Sequence, residues 1–128
     1  MIDHVSLGVS NLEKSRSFYD AALKPLGCRR VYDLEILSGY GTSEDKPSFW
    51  IAGPGAVELN VVPLSGSHVA FAAPSRAAVD AFYAAAMAAG GRDNGKPGLR
   101  PQYHENYYGA FVIDPDGHHI EAVCHRPE

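Results

Sequence analysis

The sequence repeats itself. Residues 64 positions apart, half the length of this 128-residue chain, match in kind: His4 with His68, Val5 with Val69, Phe18-Tyr19 with Phe82-Tyr83, Ala21-Ala22 with Ala85-Ala86, and Gly27 with Gly91. Self-similarity at a fixed offset means that one structural unit has been used twice. The chain length is that of one domain with a real core, so both copies, about 1–64 and about 65–128, belong to one fold. Each copy opens with a histidine on an apparent strand, which points to a site built where the copies meet.

In the first copy Met1 to Val9 alternates, with Val5, Leu7 and Val9 on one face and His4, Ser6 and Gly8 on the other. Ser10-Asn11-Leu12-Glu13 is a capping-box pattern that predicts a helix start. Leu12, Phe18, Tyr19, Ala22 and Leu23 form the helix's apolar stripe, and Pro25 and Gly27 stop it. Short extended runs follow around Cys28–Asp33, Glu35–Gly41, Ser48–Ala52 and Ala56–Val62, separated by Gly and Pro.

The second copy repeats the plan. Ser67 to Ala73 reads as a strand, and Pro74-Ser75 open a helix with the stripe Val79, Phe82, Tyr83, Ala86 and Met87, closed by Gly90-Gly91. A stretch rich in Gly, Pro and Tyr from Arg92 to Tyr107 reads as a loop. Gly109–Ile113, the turn Asp114-Pro115-Asp116-Gly117 and His119–Val123 then read as a hairpin, with His119, Glu121 and Val123 sharing one face. The fold class is therefore α+β: two tandem βαβββ modules.

Both opening histidines lie opposite the large apolar residues and beside small ones (Ser6, Gly8, Ala70, Ala72). A cavity-lining face looks like this when the other face packs on helices. Two imidazoles and a carboxylate on neighbouring strands can hold a divalent metal and leave positions open for water or substrate. His4, His68 and Glu121 are the candidate ligands. Tyr103, His104, Tyr107 and Tyr108 cluster just before the final hairpin and are candidates for acid/base or orienting roles. His118, His119 and His125 fall in loops or near strand ends and read as surface residues.

Charge and composition narrow the partners. A net charge of −4 with no basic cluster gives no electrostatic footprint for nucleic acid or anionic lipid. The opening IDHVSLGV is too short and polar for a signal peptide or a membrane span, so a cytoplasmic location is expected. Cys28 and Cys124, with no CxxC spacing, read as reduced small hydrophobes. A small molecule is the expected partner.

HVSLGVSNLEKSRSFYDAAL, GSHVAFAAPSRAAVDAFYAAAMAAGG and GAFVIDPDGHHIEAV together resemble the vicinal oxygen chelate superfamily, which includes glyoxalase I, extradiol dioxygenases, fosfomycin-resistance transferases and bleomycin-binding proteins. The resemblance covers almost the whole chain. It implies paired βαβββ modules forming a curved mixed sheet around a cavity, with metal ligands on inner strands. By position, His4 and His68 open the modules and Glu121 closes the last strand. A divalent ion (Fe, Mn, Ni or Zn) is the implied cofactor, and a homodimer is the implied assembly. The implied activity is that of a glyoxalase-like lyase or isomerase, or of an extradiol-type dioxygenase, on a small oxygenated metabolite. The alternative is a metal-free, drug-binding protein of the bleomycin-resistance type.

A fourth ligand has two candidate positions. Ala56-Val57-Glu58-Leu59-Asn60 looks like the strand that carries a carboxylate in glyoxalase I, which would make Glu58 a ligand with a catalytic role. Counting forward from Gly39-Tyr40-Gly41, the family spacing lands instead near Ser48-Phe49-Trp50-Ile51, which puts Trp50 in the substrate pocket. The short distance from Glu58 to His68 favours the second alignment. Trp50 there would favour a flat or aromatic ligand by stacking. Gly8 and Val62 stand where glyoxalase I enzymes carry glutathione-contacting Arg and Asn, so a glutathione adduct is not the expected substrate.

Overall fold

A computed structural model of the chain describes residues 1–56 and 66–128. The first module runs β1 (Val5–Gly8), α1 (Leu12–Leu23), a 3-10 turn (Lys24–Leu26), β2 (Arg29–Asp33), β3 (Leu37–Gly41) and β4 (Phe49–Ala52). The second runs β5 (His68–Ala72), α2 (Arg76–Ala88), β6 (Arg92–Leu99), β7 (Tyr108–Ile113) and β8 (His119–Cys124). Each module closes its own four-stranded mixed sheet, in the orders β1-β4-β3-β2 and β5-β8-β7-β6. The α+β class and the tandem βαβββ plan are thus present, as two sheets that do not close into a barrel.

The first and last strands of each module run parallel, side by side. A parallel pair needs a long crossover, and the helix in each module supplies it. α1 and α2 pack against each other. Phe18, Tyr19, Ala22 and Leu23 of α1 and Val79, Phe82 and Ala86 of α2 all enter one core. That core also takes Phe49 and Ile51 from the first sheet and Ala110, Val112, Ile120 and Ala122 from the second. Phe71 meets Phe49 edge to face across the modules, with centroids 5.0 Å apart.

Two local expectations change. The N-cap of α1 is Asn11, whose side chain accepts from Lys14 N, and not Ser10. Ser10 N instead donates to Asp116 Oδ1 at 3.0 Å, and Glu13 pairs with Arg16. Ser10 is therefore recruited by the other module before it can cap. The stretch from Arg92 is also not loop throughout: Arg92–Leu99 forms β6, with register shifts around Gly95. As an edge strand it tolerates Gly and Pro97, which mask a strand signal in sequence. Of the extended run expected over Ala56–Val62, all but Ala56 lies outside the described residues.

The Asp-Pro-Asp-Gly turn clamps the modules together. Buried Asp114 accepts at Oδ1 from Asp116 N (2.9 Å) and His118 N (2.8 Å), and at Oδ2 from the Tyr19 hydroxyl of α1 (2.6 Å). Burial, with the Asp114 charge beside it, pushes the Tyr19 phenol well above its ordinary pKa, so it stays a donor. His118 donates from Nε2 to the Gly8 carbonyl at 2.7 Å, fastening the end of β1 to the same turn. Cys124 is buried and Cys28 half-buried, both as free thiols. Among the described residues no helix is long and apolar enough to cross a membrane.

Candidate functional site

Register places the site residues. In the second module Ala70 of β5 lies beside Glu121 of β8, and His68 beside His119, so these four share one face. Phe111 of β7 stands across from Glu121 on the same face. Val69, Phe71, Ile120 and Ala122 point the other way, into the core or against it. The expected division into a large-apolar face and a histidine face holds here.

On that face a cavity of about 570 Å³ is walled by His68, Glu121, Tyr107, Phe111 and His104 among others. Glu121 is 1% exposed, an expensive place for a carboxylate without partners. It has two. Tyr107 donates its hydroxyl to Oε1. His68 Nε2 stands 3.5 Å from Oε2. On its far side the His68 ring reaches the Gly66 carbonyl from Nδ1 at 3.5 Å, which holds the ring with Nε2 facing the carboxylate. Burial, then the hydrogen bond and charge of Glu121, push the Tyr107 phenol far above its ordinary value. Tyr107 is therefore a fixed donor. Gly109 makes the pair possible: a Cβ there would lie 3.2 Å from both Glu121 Oε1 and Tyr107 Cε1.

His104, on the wall of this cavity, stacks on the His125 ring. Asn106 N donates to His104 Nδ1 at 3.1 Å, which puts the His104 proton on Nε2, 2.8 Å from His125 Nδ1. Tyr103 and His125 each pack edgewise on Tyr107, at 4.9 and 5.2 Å. His119 lines the cavity and was read from sequence as a surface residue; its face parity with Glu121 was the available signal. His125 lies beyond the last strand and is exposed, as expected, while stacking on His104. Tyr108 leaves the site: its hydroxyl donates to Asp80 Oδ1 on α2 at 2.7 Å.

His4 does not join His68 and Glu121 within the chain. It donates from Nδ1 to Asp3 Oδ1 at 2.6 Å and lines a separate cavity with Ser6, Leu37, Trp50 and Ala52. Among the described residues no three His, Cys, Asp or Glu side chains converge as a metal site. The reason is packing: the helix-bearing faces share the core, so the two histidine faces are turned to different surfaces. Ser6 pairs with Trp50 in β1 and β4, as Ala70 pairs with Glu121 in β5 and β8. Ser6 and Ala70 are 64 residues apart, so Trp50 is the positional counterpart of Glu121. Glu58 lies outside the described residues.

A family model described as the Glyoxalase/Bleomycin resistance protein/Dioxygenase superfamily matches residues 1–122. The chain belongs to this superfamily. A glyoxalase/bleomycin resistance protein from Albidiferax ferrireducens is 35% identical, with a TM-score of 0.83 over 94% of this chain and 96% of that one. A family enzyme from Burkholderia phytofirmans shares the fold at 19% identity, with a TM-score of 0.75 over 98% of each chain. The fosfomycin resistance protein FosX from Listeria monocytogenes does so at 19% identity, with a TM-score of 0.69 over 96% of this chain and 91% of that one. No curated protein sequence matches the chain.

Proposed function

We propose that this superfamily member is a metal-dependent enzyme acting on a small metabolite with two adjacent oxygens, and that its site is shared between two copies of the chain. One observation carries the reading: the His68 Nε2 and a buried Glu121 oxygen face each other at 3.5 Å on adjacent strands. That spacing suits two ligands of one ion, each about 2 Å from it. Backbone support behind His68 and the Tyr107 hydroxyl behind Glu121 are the kind of partners that orient metal ligands.

His68 and Glu121 would hold the ion, and His4 of a second copy would complete the set. β1 and β5 are edge strands of their sheets. An open edge is a template for pairing with another chain. Setting β1 of one copy along β5 of another would continue the sheet and bring His4 towards His68. A bound Fe, Mn, Ni or Zn would supply Lewis acidity at the substrate's oxygens.

The chain's own groups supply the rest. Tyr107 fixes Glu121 through Oε1 and keeps its proton at neutral pH, so it orients and does not act as a base. Both nitrogens of His104 are engaged, by His125 and by Asn106 N, so that ring is held as part of the wall. Tyr103 and Phe111 give the cavity apolar walls. This arrangement suits lyase or isomerase chemistry through an enolate, or ring opening by an oxygenase. The fosfomycin resistance protein FosX and a glyoxalase I mutant from Zea mays, the latter 23% identical, share this fold.

The second reading is a metal-free binder of organic cations, favoured by the buried Glu121 among the Tyr107 and Phe111 rings and by the net charge of −4. Metal content of protein purified without chelator separates the two. The enzyme reading expects a stoichiometric ion that Glu121→Ala and His68→Ala lose. An empty protein that also fails to take up added Fe, Mn, Ni or Zn supports the binder and overturns the enzyme.

A further inference from the structure

Trp50 lies in the position that Glu121 holds in the other module, and its surroundings are built for a ring rather than for an ion. Gly39 stands directly across from it on β3. A Cβ on Gly39 would come within 2.9 Å of Trp50 Cζ3 and 3.0 Å of Cε3, so the six-membered ring of the indole rests on bare backbone. The same Cβ would lie 2.9 Å from Pro47, which closes the ledge from above. Tyr32 braces the indole edge-on at 5.4 Å. The β1 and β4 neighbours on this face, Ser6 and Ala52, are small and leave space in which His4, Leu37 and the indole form the walls. A side chain pinned in this way has little rotamer freedom to lose when a ligand arrives.

We propose that Trp50 is a stacking platform that selects planar ligands, so that the substrate is an aromatic or conjugated compound bearing two adjacent oxygens. This rests on the shared-site reading above: were His4 of one copy brought to His68 and Glu121 of another, Trp50, which lines the His4 cavity, would come with it. A ligand's oxygens would then face His68 and Glu121 while its ring lay on the indole. Aliphatic compounds with the same oxygens keep the first contact and lose the second. Offset stacking on a held ring is worth roughly tenfold in affinity beyond burial.

Trp50 is the chain's single tryptophan, so its fluorescence reports this position alone. Catechol and cis-1,2-cyclohexanediol, which share two adjacent oxygens and differ in planarity, are titrated into the purified protein by fluorescence and equilibrium dialysis. Catechol is expected to quench the emission and to bind more tightly than the diol. Trp50→Leu is expected to weaken catechol binding about tenfold with diol binding and metal content unchanged, and Trp50→Phe to restore part of the loss. Catechol binding that Trp50→Leu leaves unchanged, or diol binding that falls equally, overturns the platform. Failure of the metal reading shows elsewhere: the protein would hold no ion, while catechol preference and quenching persisted in His68→Ala.

Discussion

The first module sets an indole beside Ser6, and the second sets a carboxylate beside Ala70, at equivalent places in equivalent sheets. One scaffold has thus been given two chemistries. Glu121 is buried, hydrogen-bonded by Tyr107 and opposed by His68, an arrangement that organises negative charge. Trp50 is half-exposed, laid on Gly39 and braced by Tyr32, an arrangement that organises a flat apolar surface. On the proposed reading, one half of the duplicated fold would hold an ion and the other would shape the substrate.

The turns between the last two strands differ as well, and this gives the largest expected effect. In the second module Asp114 collects three hydrogen bonds, one of them from α1 of the first module. The matching connection in the first module is exposed from Thr42 to Lys46. Asp114→Ala should strand two backbone donors and the Tyr19 hydroxyl, and lower stability by about 3 kcal/mol. Asp45→Ala should change it by less than about 0.5 kcal/mol. Thermal unfolding of the two variants tests this, and similar losses in both would remove the turn's role as a clamp.

Tyr107→Phe probes the support behind the carboxylate with little change in shape. Metal affinity should fall about tenfold with stability nearly kept. Competition with a chelator measures it, and unchanged affinity would leave the Tyr107–Glu121 contact without a part in the site. Smallest is an effect of the first module alone. The Ser38 hydroxyl, then Arg30 and Arg16, hold the Asp33 carboxyl below its ordinary value of 3.8. A lowered folded pKa contributes stability that is complete above the unfolded value and lost as pH falls through the folded one. Asp33→Asn should therefore lower stability at neutral pH by less than about 1 kcal/mol, since the group is half-exposed, with the difference from the parent closing as pH falls below about 4. A difference that persists undiminished at about pH 2 would contradict this origin.

The repeat, the two helices and the face of each histidine strand were legible because they follow local periodicity and a fixed offset. So was the place of Trp50 as the counterpart of Glu121, once β4 was placed by spacing, while its rival Glu58 lies outside the described residues. Three features were not legible. The helix-to-helix packing that turns His4 and His68 onto different surfaces is a long-range outcome with no local signature. β6 hides behind Gly95 and Pro97 because an edge strand can carry residues that a central strand cannot. His125 stacks on His104, a loop residue 21 positions earlier on the cavity wall, a contact that no spacing rule anticipates.

Complementation between copies tests the shared site most directly. His4→Ala and Glu121→Ala are purified separately, then mixed, unfolded and refolded together, and metal per chain is measured. Neither variant alone should hold stoichiometric metal. The mixture should recover about a quarter of the wild-type content, since half of the randomly paired dimers carry one intact site of two. A mixture as empty as its components, or full occupancy in His4→Ala alone, would contradict a site built from two copies.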